Sequence, residues 1–412
     1  MTRVIHIQYS TSSAGSAALR LQNAFIKENI ESNIISLFID NKNTYEGISY
    51  LGSIPRRIAW IDYKLQSFLT TNNNKKFGMF SYPILGTDVT HMEVVEKADI
   101  IYIHWALGGF LNFNSIKKLA NLNKPIIIFM HDMWAITGGC HHSFTCEKYI
   151  TECNDCQMFQ GQKKSDLSRK GFKNKLNLYS EFDNLYFVSP SHWLYNCAKK
   201  SFLTKDKPIF YIPNLLDETI FKPFDKNSAK QILNIEPDEI VIAFGAVSID
   251  SPYKGWSYLQ KALEILKQDN RLPKISILIF GSGYNKKIAE AIPFKTKFMG
   301  YLNDSYSMSL IYNAANIFIA PSLAEAFGYV VMESLCCGTP VVGFDVGGIP
   351  DMISHKENGY LSKYKNSEDL AEGIKFCLYN NIRGYLLENL KSSLTVQKHL
   401  DLIENLNRLT KE

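Results

Sequence analysis

Glu325 and Glu333 stand with seven residues between them in PSLAEAFGYVVMESLCCGTPVVGFDVGGIPD, the stretch Pro321–Asp351. Glu325 falls in a polar loop after the apolar run Ile317–Ala320, and Glu333 lies inside a predicted helix that starts near Phe327-Gly328-Tyr329. A helix start offers unpaired amides and the positive end of its dipole. Side chains lean back toward it. One pocket could therefore hold a carboxylate, free N–H groups and a second carboxylate, a set suited to a sugar, a diphosphate and a ribose. Two glutamates at this distance also arise by chance, and paired carboxylates run glycoside hydrolysis too. Gly328, the Gly338-Thr339-Pro340 turn and the Gly347-Gly348 pair argue against chance. The placing of Glu333 on a helix beside a phosphate-binding start argues against a hydrolase.

Further candidates are scattered along the chain. Lys254, in Tyr253-Lys254-Gly255, is a cation at a helix start or simply a solvated lysine. Gly281-Ser282-Gly283 follows the strand-like run Ile275–Phe280 and would let a nucleotide approach the backbone, or be a plain turn. His131-Asp132 follows the strand-like run Pro125–Met130; Asp132 could orient the histidine ring or cap the next turn. His104, at the end of Ile100–His104, could contact an acceptor or pack. Cys140, Cys146, Cys153 and Cys156 form a C-x5-C-x6-C-x2-C array enclosing His141 and His142. In a reducing compartment zinc is the natural reading of such thiols, free cysteines the bland one. The basic and aromatic run Ile54–Leu65, with Arg56, Arg57, Trp60 and Lys64, could pack on its own domain or meet anionic lipid.

These residues need a frame to hold them. A chain of 412 residues suits two domains, and 46% hydrophobic with 21% charged residues is an ordinary globular composition. The net charge of +5 is too mild to demand nucleic acid. No run of 18 apolar residues suggests a membrane span, and the N-terminus enters a strand directly rather than a signal sequence. The expectation is a cytoplasmic protein, peripheral on the inner membrane face if the basic run meets lipid. Strands Val4–Gln8, Ile100–His104, Pro125–Met130, Tyr186–Val188 and Ile209–Ile212 alternate with helices; Ile240–Phe244, Ile275–Phe280, Ile317–Ala320 and Val341–Phe344 repeat the pattern. The tail from Ala371 is helical in pattern. That is α/β with parallel sheets.

E-x-F-G-x-x-x-x-E, G-T-P-V-V and G-G-I-P-D together resemble the signature of family 4 retaining glycosyltransferases, among them bacterial exopolysaccharide, O-antigen and colanic acid biosynthesis enzymes. The likeness implies the GT-B fold: two Rossmann-like domains facing across a cleft, with a C-terminal helix crossing back to the N-terminal domain. It places an acceptor-binding domain at 1–215, a nucleotide-sugar domain at 216–385 and the crossing helix at 386–412. By resemblance His131 and Glu325 are catalytic, both touching the donor sugar. Lys254 and the amides of Phe327, Gly328 and Tyr329 take the diphosphate, Glu333 the ribose, and Gly281 the base or ribose. Gly15, in the loop Ser10–Ser16, and His104 serve the phosphate or the acceptor.

The implied activity is transfer of a hexose-type sugar, with retention, from a UDP or GDP sugar to a glycan acceptor. Polyprenyl-diphosphate-linked acceptors of surface polysaccharide assembly are the expected class. No Asp-x-Asp motif is present, and the family's same-face reaction, in which the leaving phosphate takes the acceptor proton, needs no catalytic metal. One departure stands out. The family's arginine after the first strand of the second domain is replaced here, where Gly245-Ala246 stands. That gap motivates the alternative of a catalytically silent subunit binding a partner transferase or a glycan.

Overall fold

The computed structural model describes residues 2–11, 16–38, 46–70, 77–159, 167–245, 251–302 and 304–409. The chain divides into two units, Met1–Leu215 with Ser393–Glu412, and Leu216–Ser392.

The first unit carries β1 (Arg3–Ser10), β2 (Glu31–Phe38), β3 (Ile48–Tyr50), β4 (Ile100–Ile103), β5 (Ile126–Phe129), β6 (Leu185–Ser189) and β7 (Ile209–Tyr211). They form one sheet in the order β3-β2-β1-β4-β5-β6-β7, every pairing parallel. Strands such as IIYI and IIIF are apolar throughout because a parallel sheet is covered on both faces, and all their residues are buried. The terminal helix Ser392–Leu409 belongs here: Leu402, Ile403 and Leu406 pack with Val4, Leu21 and Phe25 in one core. Its His399 Nδ1 lies 3.2 Å from the Tyr102 hydroxyl. The short stretch before that helix stays with the second unit, because Leu390 is buried in that unit's core.

The second unit carries β8 (Ile240–Gly245), β9 (Ile275–Phe280), β10 (Lys295–Phe298), β11 (Ile317–Ala320), β12 (Val341–Phe344) and β13 (Gly359–Ser362). Their order is β10-β9-β8-β11-β12-β13, again wholly parallel. In each sheet the strand order reverses once in the middle, between β1 and β4 and between β8 and β11. Open parallel sheets bind ligands outside the carboxyl ends of their strands at such reversals. The loop after β11 carries Glu325, and the residue after β4 is His104. No helix among the described residues is long and apolar enough to cross a membrane.

Candidate functional site

In the second unit the loops after β8 and β11 are locked together by close backbone approach. Gly255 has φ +60, and a Cβ there would lie 1.9 Å from the Pro321 carbonyl oxygen. Only glycine lets the two loops touch. The Leu323 N–H donates to the Tyr253 carbonyl across the same seam, at 2.5 Å. A second buttress comes from behind. Gly347 has φ +60 with a hypothetical Cβ 1.8 Å from the Glu325 carbonyl oxygen, to which the Gly348 N–H donates at 3.0 Å.

The result is a fixed Glu325 backbone with Lys254 delivered to it. Lys254 Nζ lies 3.0 Å from Glu325 Oε2, with both side chains half-buried. Ser322 Oγ donates to that same oxygen at 3.3 Å. Phe327 is buried, and Gly328, with φ +104, caps the helix Tyr329–Cys336. Helix geometry leaves the amides of its first residues outside its own ladder, pointing back toward the Glu325 loop.

Glu333 is deeply buried rather than open. It is 3% exposed, and the Tyr312 hydroxyl donates to its Oε2 at 3.0 Å. The Gly338-Thr339-Pro340 turn supports that pair: Thr339 Oγ1 donates to the Tyr312 carbonyl at 2.6 Å, and Ser334 Oγ donates to the Thr339 carbonyl at 3.0 Å. In the loop after β9, the Gly281 N–H donates to the Gly300 carbonyl at 2.8 Å, drawing those two loops together beside the exposed Tyr301.

In the first unit a pocket of about 40 Å³ opens beside the strand reversal, lined by His104, Trp105, Phe129, His131, Asp132 and Trp134 among others. His131 is half-buried on its wall, and its Nε2 lies 3.1 Å from His104 Nδ1. Burial drives the His131 imidazole down to about 4, so the ring is neutral. Asp132 does not orient that ring. Its Oδ2 lies 2.6 Å from His141 Nδ1, and its Oδ1 accepts the Trp134 N–H at 2.7 Å. Of the two roles open to it, Asp132 takes the turn cap. Burial would raise its carboxyl, but the charge and hydrogen bond of His141 hold it below the ordinary value.

The cysteine array lies against the same turn. The Gly138 N–H donates to Cys153 Sγ at 3.2 Å, while Cys140 and Cys156 pack on the Phe80, Met158 and Phe159 cluster. Burial pushes the thiols of Cys140 and Cys153 up to about 12, and the neighbouring cysteines add to both. Among the described residues no three His, Cys, Asp or Glu are gathered as a metal centre. None of the eight cysteines forms a disulfide.

Two features escape the sequence reading. Lys175 is fully buried; its Nζ donates to the carbonyls of Trp134 and Thr137 at 2.5 and 2.9 Å and sits 3.8 Å from the Trp134 ring centroid. Burial lowers it to about 7. The helix Ser53–Thr70 is also inverted. It turns Ala59, Asp62 and Gln66 inward, with Asp62 Oδ1 accepting the N–H groups of Ile84 and Leu85. Outward it shows Ile54, Trp60, Tyr63 and Phe68, the last 82% exposed, with Arg57 and Lys64. The helix does pack on its own domain, and it does so through a polar side: Asp62 and Gln66 accept backbone N–H groups inside while the rings face outward. Gly15 and Ala246 lie outside the described residues. Of the cations the sequence offers in place of the absent arginine, Arg56, Arg57 and Lys261, the first donates to the Leu37 carbonyl at 3.2 Å and the other two are exposed.

Comparison with known proteins agrees with this architecture. Residues 225–392 match the family described as glycosyl transferases group 1. An uncharacterized glycosyltransferase of Methanocaldococcus jannaschii is 30% identical over 309 residues, 71% of this chain and 76% of that protein. The D-inositol 3-phosphate glycosyltransferase of Mycobacteroides abscessus is 31% identical over 185 residues, covering 41% of this chain and 39% of its own. Among solved structures, Anabaena Alr3699/HepE in complex with UDP and glucose superposes with a TM-score of 0.60 at 15% identity, over 100% of this chain and 98% of that one. WaaG, a glycosyltransferase involved in lipopolysaccharide biosynthesis, gives 0.59 at 14% identity over 98% and 99%. Two parallel-sheet units with this connectivity, and a relative matched over most of both chains, lead to one conclusion: the chain has the GT-B fold and belongs to the group 1 glycosyltransferases.

Proposed function

We propose that this glycosyltransferase moves a hexose-type sugar, with retention of configuration, from a UDP or GDP sugar to a glycan acceptor carried on a lipid diphosphate in surface polysaccharide assembly. The observation that carries the reading is the Lys254–Glu325 contact at 3.0 Å, set before the helix capped by Gly328. A diphosphate arriving there meets a cation and a helix start, the groups that stabilise a departing phosphate. Its competition for Lys254 would release the Glu325 carboxylate to accept sugar hydroxyls. Glu333, fixed through Tyr312, closes the ribose end of the same unit. That HepE has been seen with UDP and with UDP-glucose supports a nucleotide-sugar donor.

In this reading His131 faces the transferring sugar as a neutral hydrogen-bonding group, and the leaving phosphate itself takes the acceptor proton. The inverted helix Ser53–Thr70 supports a peripheral contact with anionic lipid, its rings entering the headgroup layer and Arg57 and Lys64 meeting phosphate. A zinc held by Cys140, Cys146, Cys153 and Cys156 would pin their loop; its support is their spacing in the sequence, and the four thiols would have to draw together to hold it.

The test is donor hydrolysis followed by NMR with UDP-, GDP-, ADP- and dTDP-sugars, on the wild type and Glu325→Ala. One donor should release its sugar as the same anomer, and Glu325→Ala should abolish this. Binding of a nucleotide without turnover of any donor or acceptor would favour the silent-subunit alternative.

A further inference from the structure

Three histidines and a serine, distant in sequence, join into one hydrogen-bonded row across the first sheet. Ser32 Oγ lies 3.1 Å from His6 Nε2, His6 Nδ1 lies 3.0 Å from His104 Nε2, and His104 Nδ1 lies 3.1 Å from His131 Nε2. The four come from β2, β1, the end of β4 and the end of β5, which are consecutive neighbours in the sheet. Ser32, His6 and His104 are buried, whereas His131 ends the row at the pocket wall. Burial keeps all three imidazoles neutral near pH 7, His6 lowered to about 3 and His104 well below its ordinary value.

A neutral imidazole has one N–H and one bare nitrogen. His6 and His104 use both nitrogens within the row, so every bond must point the same way. Only two arrangements exist. In one, Ser32 donates to His6, His6 to His104 and His104 to His131, and all three rings carry their proton on Nδ1. In the other, all three carry it on Nε2 and the row ends on Ser32 as an acceptor. The second would leave the Ser32 hydroxyl proton buried with no further acceptor among the described residues, a costly state.

We infer that Ser32, His6 and His104 form a relay that locks His131 in the Nδ1–H tautomer, so that it presents a hydrogen-bond donor to an oxygen of the bound substrate. Ser32, His6 and His104 are positioning residues acting through His131. The donor role toward the sugar rests on the transferase reading; the tautomer does not.

The experiment is two-bond ¹H–¹⁵N correlation of the full chain labelled at histidine, which distinguishes the tautomers directly. In the wild type, His6, His104 and His131 should each show the Nδ1–H pattern. His104→Phe keeps a stacked ring while cutting the relay, and His131 should then become a mixture of tautomers. Ser32→Ala, for which folding demands less, should produce the same mixing from the far end, and Ser32→Thr should restore the single tautomer. An Nε2–H pattern for any of the three in the wild type, or a His131 still locked in folded Ser32→Ala, overturns the relay. On the donor that turns over, Ser32→Ala should lower kcat about twofold at unchanged KM, in proportion to the molecules still presenting N–H. Mixed tautomers with an unchanged kcat would overturn the role given to His131. A wild type with no turnover at all would count against the transferase reading and leave the tautomer result standing.

Discussion

Acidification from about pH 7 to about pH 5 should remove most of the stability of the first unit, because its histidines are folded in as neutral groups. His6, His131 and His399 are lowered by burial to about 3, 4 and 3, and His104 falls well below its ordinary value. The sign follows from the proton count. Below about pH 6.5 the unfolded chain binds a proton at each of these sites while the folded chain does not, so stability is full above that pH and is lost as pH falls. At about pH 5 each ring has forfeited about 2 kcal/mol, and the four together about 7 kcal/mol, against a typical domain stability of about 5–15 kcal/mol.

Other shifted groups leave this window nearly clear. Asp88 is held down to about 2 by its Lys118 hydrogen bond, and its protonation belongs to more acid solution. Lys175, lowered to about 7, sheds its proton above the window; its burial makes stability rise from about pH 7 upward and adds little below. The assay is urea unfolding at a series of pH values, read by tryptophan emission, since Trp60, Trp105, Trp134 and Trp193 lie in the first unit and only Trp256 in the second. His399→Gln keeps a partner for Tyr102 and should reduce the acid loss by about 2 kcal/mol. A total loss under about 2 kcal/mol between the two pH values would mean that these histidines are not folded in as neutral groups, since it is less than one buried histidine requires.

Lys254→Ala should raise the KM for the donor and lower kcat, together by about a hundredfold in kcat/KM, as expected for loss of a cation at a departing diphosphate; steady-state kinetics on the preferred donor checks it. Gly347→Ala drives a Cβ into the Glu325 carbonyl at 1.8 Å, so it should abolish turnover and cost more than about 2 kcal/mol of second-unit stability, measured by the Trp256 transition. Replacing Trp60 and Phe68 together by alanine should abolish co-sedimentation with phosphatidylserine vesicles while leaving hydrolysis of a soluble donor intact; undiminished binding would contradict the lipid contact. Elemental analysis of the purified protein should find roughly one zinc per chain, lost in Cys153→Ser; metal-free wild type would leave the array as thiols.

The parallel strands were legible because burial on both faces leaves runs such as Ile317–Ala320 with no polar residue. The glutamate loop and its glycines were legible because a close backbone approach can be met only by one residue type. Strands β2, β3, β10 and β13 were not anticipated. The last three are edge strands, and a sequence such as Lys295–Phe298 alternates charge as an exposed edge does; β2 lies inside its sheet, and its run Glu31–Phe38 mixes polar residues among the apolar ones. The histidine row was hidden for another reason. It depends on the register among four strands whose residues run from His6 to His131, and no local pattern encodes that. Packing of helix Ser53–Thr70 on its own domain was anticipated, but its inward side was not legible, since residue spacing does not say which side faces inward; the N–H groups of Ile84 and Leu85 decide it by claiming Asp62.

The return of the helix Ser392–Leu409 to the first unit has a consequence for how the chain is made. The second unit is continuous, Leu216–Ser392, and can assemble as soon as it leaves the ribosome. The first unit emerges earlier yet is finished later, because Leu402, Ile403 and Leu406 fill its core beside Val4 and His399 meets Tyr102. During synthesis that core stands with apolar strands beneath a missing lid, and its closure spans almost the whole chain, the kind of long-range contact that forms slowly. A segment made after the whole second unit thus seals a core begun before it.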